Sequence, residues 1–214
     1  MLSGPISFPA ALDEGFLAWA EDLHREGRRP EMLRCVGCHG RVMLRAGTRQ
    51  PHFAHWPGTP TCDVDGALRK SFVLLLSRIL RKRMKSGRSL PIAHWCRVCQ
   101  AFRDGDLARH QGGSVEVDVR FSPEAYPDLL VRDAAGRVRY VVEIIGTHAP
   151  ERAAMEAYLA AKVAVVRVWP RWETVRALAT SGLPREAYRK TRDGDGTYDV
   201  VGLCFLPGHG KKSE

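Results

Sequence analysis

A single carboxylate interrupts the most apolar strand of this chain. Val141, Val142, Ile144 and Ile145 surround Glu143, and a run that is apolar on both faces is expected of a strand in the middle of a sheet. Burying a carboxylate without a partner costs on the order of several kcal/mol, so Glu143 requires a cation, a hydrogen-bond network or a metal. The strand has a partner just upstream. Residues 126–148 read as a β-hairpin: Asp128 opens one short apolar strand, Asp133-Ala134-Ala135-Gly136 makes the turn, and residues 139–145 return. A hairpin of this length brings the Asp128 and Glu143 carboxylates side by side.

The neighbouring segments supply the rest of a sheet. Residues 115–121 alternate, with Val115, Val117 and Val119 on one face and Glu116 and Asp118 on the other. Either acid joins the central pair if its face meets Asp128. Before this strand, Leu68, Phe72, Leu75, Leu76, Ile79 and Leu80 mark the apolar face of a helix over residues 67–84, capped by Asp63 or Asp65. After the hairpin, Pro150 suits the first turn of an alanine-rich helix over 151–161. Residues 163–168 form another apolar strand, 174–179 a short helix and 198–206 a last strand, with a frayed tail from His209.

The first 64 residues belong to a different kind of structure. Leu12, Phe16, Trp19, Ala20 and Leu23 fall at helical spacing over residues 11–26, although Gly15 is a poor helix former. Cys35 and Cys38 then form a CxxC knuckle, followed by a hairpin that ends in His52-Phe53-Ala54-His55, and by Cys62. Zinc takes four Cys and His ligands tetrahedrally, and a zinc ribbon presents them in this way. Five candidates compete for four places. Cys62 with His55 gives the preferred Cys₃His site, while His52 and His55 without Cys62 would give Cys₂His₂. A module with so little core needs such a staple. The expected division is therefore a zinc-ribbon-like module at 1–64 and a larger α/β (α+β) domain at 65–214. A second CxxC, Cys96 and Cys99, marks another candidate metal knuckle at 94–110, with His94 or His110, or the distant Cys204 or His209, as further ligands.

Composition narrows the partners. The chain has 214 residues, 44% hydrophobic and 27% charged, which suits a soluble globular protein. No apolar run reaches the length of a membrane span, and the N-terminus lacks a basic-then-apolar signal pattern. A cytoplasmic protein without membrane association is expected, whose six cysteines serve metals rather than disulfides. The net charge of +9 favours a polyanionic partner, nucleic acid first. Arg78, Arg81, Lys82 and Arg83 make the end of the 67–84 helix a candidate phosphate-binding face. A solvated charged surface is the competing account of that face.

The order helix, three strands, helix, strand resembles the αβββαβ core of PD-(D/E)XK nucleases, with Pro127-Asp128 and Glu143 matching its acidic motif. That resemblance implies Mg²⁺ or Mn²⁺ held by Asp128 and Glu143, with Glu116 as an upstream acid, and hydrolysis of phosphodiesters. The family's lysine should stand at Ile145, which shares the face of Glu143. Lys162 and Lys70 are the candidates for a relocated cation. Together with the Cys35-Val36-Gly37-Cys38 and Pro51-His52-Phe53-Ala54-His55 segments, the chain resembles the competence protein CoiA-like family over residues 30–170. Such proteins couple a zinc-finger-like module to a nuclease-like domain and are associated with processing incoming or foreign DNA. The resemblance implies structural Zn²⁺, DNA as the nucleic acid, and protein partners in DNA processing. If no cation replaces the lysine, it implies a catalytically silent zinc- and DNA-binding adaptor.

Overall fold

A computed structural model describes residues 7–46, 50–57, 62–96, 100–146, 150–172, 174, 178 and 198–201. The chain divides into two compact units, Met1–Phe72 and Val73–Glu214. The division falls inside a long helix, α2 (Val64–Ser86), instead of before it. The first turns of α2 are bound into the N-terminal unit: Lys70 Nζ donates to the Gly37 carbonyl at 2.8 Å. A Cβ on Gly37 would lie 3.0 Å from that of Ala67, so the helix sits directly against the cysteine knuckle.

The N-terminal unit is built from short strands. They are β1 (Ser7–Phe8), β2 (Ala10–Asp13), β3 (Phe16–Trp19), β4 (Leu33–Arg34), β5 (Val42–Arg45) and β6 (His52–His55), with the helix α1 (Ala20–Arg25) after β3. They form two three-stranded sheets, β1-β6-β5 and β3-β2-β4. The helix expected over 11–26 is thus mostly a hairpin. Ala10 pairs with Trp19 and Asp13 with Phe16, leaving Glu14 and Gly15 as a two-residue loop. Both loop residues have positive φ, +48° and +80°, the requirement of the tight turns that match strand twist. Two four-residue strands followed by one helical turn reproduce a three-to-four spacing of apolar residues, and the left-handed pair at 14–15 is what excludes a continuous helix.

The second unit centres on a five-stranded sheet in the order β13 (Tyr198–Val201), β12 (Ala164–Val168), β11 (Val138–Ile144), β10 (Leu129–Arg132), β9 (Ser114–Val117). β9, β10 and β11 run antiparallel, β12 lies parallel to β11, and β13 is antiparallel to β12. The parallel step requires a crossover, supplied by α3 (Arg152–Ala160). Leu130, Val141 and Val165 pack with Ala154 and Tyr158 of α3 on one face. Leu129, Val142 and Val166, which alternation turns to the other face, are also fully buried. The central strands are therefore apolar on both sides, as their sequences require.

Local chemistry sets the edges. At the β10–β11 turn, Asp133 Oδ1 accepts from the Ala135 and Arg137 amides at 2.9 and 3.0 Å, and Gly136 takes φ +76°. The strand expected over 115–121 stops at Val117 because Asp118 turns left-handed, φ +50°. A hairpin that the sequence does not announce, β7 (Pro91–Cys96) with β8 (Ala101–Asp106), is tied to β13. The Tyr198 hydroxyl donates to the Ala93 carbonyl at 2.9 Å and accepts from its amide at 3.2 Å. Most of the helix expected at 174–179, the end of the strand at 198–206 and the tail from His209 lie outside the described residues. Among the described residues, no helix is long and apolar enough to cross a membrane.

Candidate metal centre and acidic pair

Cys35, Cys38, His55 and Cys62 each offer one ligand atom, and all four atoms lie within 4.8 Å of one another. Cys35 Sγ and Cys62 Sγ are 3.5 Å apart, and Cys38 Sγ is 3.2 Å from His55 Nε2. A tetrahedral zinc with Zn–S of ~2.3 Å and Zn–N of ~2.0–2.1 Å separates neighbouring ligand atoms by about 3.5–3.8 Å. These two separations lie near that spacing, and the cluster could hold a zinc ion as a Cys₃His set.

Each ligand is placed by local structure. The knuckle closes through Cys35 N to Gly40 O at 2.8 Å and His39 N to Cys35 O at 3.0 Å, with His39 left-handed. The Gly37 and Gly40 amides donate to the Cys35 and Cys38 sulfurs at 3.3 and 3.4 Å, the outer hydrogen bonds that orient thiolate ligands. Gly37 lets the knuckle approach closely, since a Cβ there would stand 3.0 Å from Ala67 Cβ and 3.1 Å from Cys62 Sγ and would force a small shift. Cys62 directly precedes Asp63, whose carboxylate caps α2 by accepting from the Asp65 and Gly66 amides. Burial, with the Cys35 and Cys38 thiols beside it, pushes the Cys62 thiol up to about 12. Three thiols this close become thiolates together only around a cation.

His55 and His52 are separated by strand alternation. Val42 pairs with His55 and Arg45 with His52 across β5 and β6, so the two imidazoles leave β6 on opposite faces. His52 Nδ1 lies 3.1 Å from the Gln50 carbonyl and outside the cluster. At the second knuckle, Cys96 is buried at the end of β7 and Cys99 lies outside the described residues. Among the described residues, Cys96, His94 and His110 do not form a metal-capable group.

Asp128 and Glu143 occupy the second unit. Leu129 pairs with Val142, so Asp128 and Glu143 are the next facing positions of the two chains, directed to the face under α3. Asp128 is 2% exposed and Glu143 9%. Asp128 Oδ2 accepts from the Ile144 amide at 2.7 Å, and Glu143 Oε1 from the Tyr158 hydroxyl at 2.5 Å. Both of these donors are neutral, so they fix the carboxylates without cancelling charge. Tyr158 is held protonated far above its ordinary range, by burial first and then by its bond to Glu143 and the Asp128 charge. Glu116 faces Leu130 and is bound to Arg132 at 2.8 Å, so it stands beside the pair rather than in it.

Two charged residues that the sequence did not single out continue this row. Arg167 is the register partner of Glu143 on β12, and Asp199 that of Arg167 on β13. The Arg167 guanidinium forks onto Asp199, Nε donating at 2.8 Å. Their signal was the one that exposed Glu143: a charge inside an apolar strand. Ile145 is buried. Lys70 is committed to Gly37, and Lys162 sits in the turn after α3, five residues before Arg167.

The basic helix end is partly engaged. Arg81 donates to the Val115 carbonyl from Nη2 at 2.9 Å and from Nε at 3.2 Å. Arg83 donates to the Ser89 carbonyl beyond the helix end. Arg78 and Lys82 complete the four candidates on this face. No curated protein and no solved structure matches the chain. Residues 18–65 match the family model of the N-terminal domain of competence protein CoiA; this segment, which holds Cys35, Cys38, His55 and Cys62, is where the chain is similar to that family.

Proposed function

We propose that the chain is a DNA-processing protein in which a zinc-stapled module accompanies a nuclease-like domain of the PD-(D/E)XK type. The observation that carries this reading is the facing, buried pair Asp128 and Glu143 on a mixed sheet whose chain order is helix, meander, helix, parallel strand. Carboxylate oxygens suit Mg²⁺ or Mn²⁺. Asp128 and Glu143 would hold the ion, which supplies charge neutralisation at a phosphodiester and an acidified water. The chain's own part is to orient both carboxylates, through the Ile144 amide and the Tyr158 hydroxyl. DNA cleavage is expected only with a divalent ion. Asp128→Asn and Glu143→Gln should each abolish it while leaving the melting temperature within a few degrees, since they remove charge and keep volume. Cleavage that survives both changes would sink the proposal.

A second reading follows from Ile145, buried where a lysine would assist hydrolysis, with Lys70 and Lys162 placed elsewhere. On this reading the domain is a silent zinc- and DNA-binding adaptor. Wild-type protein inactive with either ion on single- and double-stranded DNA, gaining cleavage on Ile145→Lys, would favour it.

A further inference from the structure

The N-terminal unit carries a second feature that the zinc cluster and the acidic pair do not use. Arg41 and Trp56 flank the β5–β6 hairpin, one residue outside the pair Val42 and His55, and their backbones are joined by Trp56 N to Arg41 O at 3.2 Å. They leave the face opposite His55, together with Met43. The Arg41 guanidinium lies 4.8 Å from the centroid of the Trp56 ring, and the tryptophan is still 43% exposed. The ring borders a cavity of about 580 Å³, also lined by Arg28, Arg29, Met43 and Glu31. Arg28 is shared with Asp13 and Glu26, but among the described residues neither Arg29 nor Arg41 makes an ion pair.

We infer that this cavity binds a single-stranded DNA segment, with one base stacked at Trp56 and its flanking phosphates at Arg29 and Arg41. A guanidinium lying over an exposed indole prepares both halves of the contact that every nucleotide offers. The volume falls within the ~300–1,000 Å³ of sites that hold ligands of nucleotide size. A base inside a duplex hides its faces, so the surface selects a single strand. The residue before Trp56 is His55, so a metal held by the Cys₃His set would steady the strand end that carries the indole. The inference rests on the DNA-handling part of the proposed function and is independent of cleavage.

The test is fluorescence anisotropy with a labelled oligothymidylate and the zinc-loaded 214-residue chain, without added Mg²⁺ or Mn²⁺. Trp56→Ala should weaken binding roughly tenfold or more, and Trp56→Phe should restore part of it. Arg29→Glu, at an exposed position, should weaken binding and flatten its salt dependence, and it serves alone if Trp56→Ala loses zinc. Affinity unchanged within twofold in the zinc-retaining variants would overturn the inference. So would a duplex bound as tightly as the single strand, or an RNA oligomer preferred over DNA. Because the assay contains no divalent ion and reads binding alone, failure here is distinct from failure to cleave.

Discussion

His52 and His55 are three positions apart on one strand, which is the difference between its two faces. His55 shares a cluster with Cys35, Cys38 and Cys62; His52 does not. His52→Ala is therefore expected to retain about one zinc per chain, and His55→Ala or Cys62→Ser to lose it, as read by elemental analysis. Equal loss from His52→Ala would restore the Cys₂His₂ alternative. The sequence left both ligand sets open; the strand over 52–55, whose alternation turns the two histidines to opposite faces, favours His55. Other positions cannot be read that way. Arg41 meets Trp56, and Glu143 comes level with Arg167, through register between strands that sequence spacing does not encode. Arg81 likewise reads as a free cation until the Val115 carbonyl is found at its guanidinium.

Among elements, a clear periodic or apolar run was legible and a broken one was not: β7 and β8 have six residues each and went unread, while β10 has four. The helix at 64–86, the strands at 129–132, 138–144 and 164–168 and the helix at 152–160 each carry enough periodic or apolar residues to declare themselves. The β2–β3 hairpin does not, because its strands are four residues each and its loop is Glu14-Gly15 rather than a strong turn pair. The conformation of Gly15 tests that assignment. Its φ is +80°, and a Cβ there would meet nothing within 4 Å, so the cost of Gly15→Ala is conformational, about 1 kcal/mol. A drop of that size in chemical denaturation of the N-terminal unit is expected. An increase in stability would mean that residues 11–26 are helical after all, since alanine favours a helix by a similar amount.

At the scale of the whole molecule, the two units draw on different sources of stability. The second unit buries both faces of its central strands. Among the described residues, the first has six strands of at most four residues, one helix of six and the opening turns of α2, little regular structure to support itself by area alone. A structural zinc contributes ~10–16 kcal/mol of apparent folding free energy in small modules, comparable with the ~5–15 kcal/mol that holds a typical domain together. Removing it should therefore unfold the first unit and spare the second. Hydrogen exchange after chelation is expected to erase protection in β5 and β6 while β10, β11 and β12 keep theirs. The boundary within α2 gives a sharper expectation. Asp63 caps the helix beside Cys62, and Lys70 is tied to the knuckle carbonyl, so residues 64–72 should lose protection with the metal. The turns after Val73, tied to β9 through Arg81, should keep it. If exchange rises uniformly along α2, or chelation leaves the first unit protected, then the zinc is not the staple of that unit.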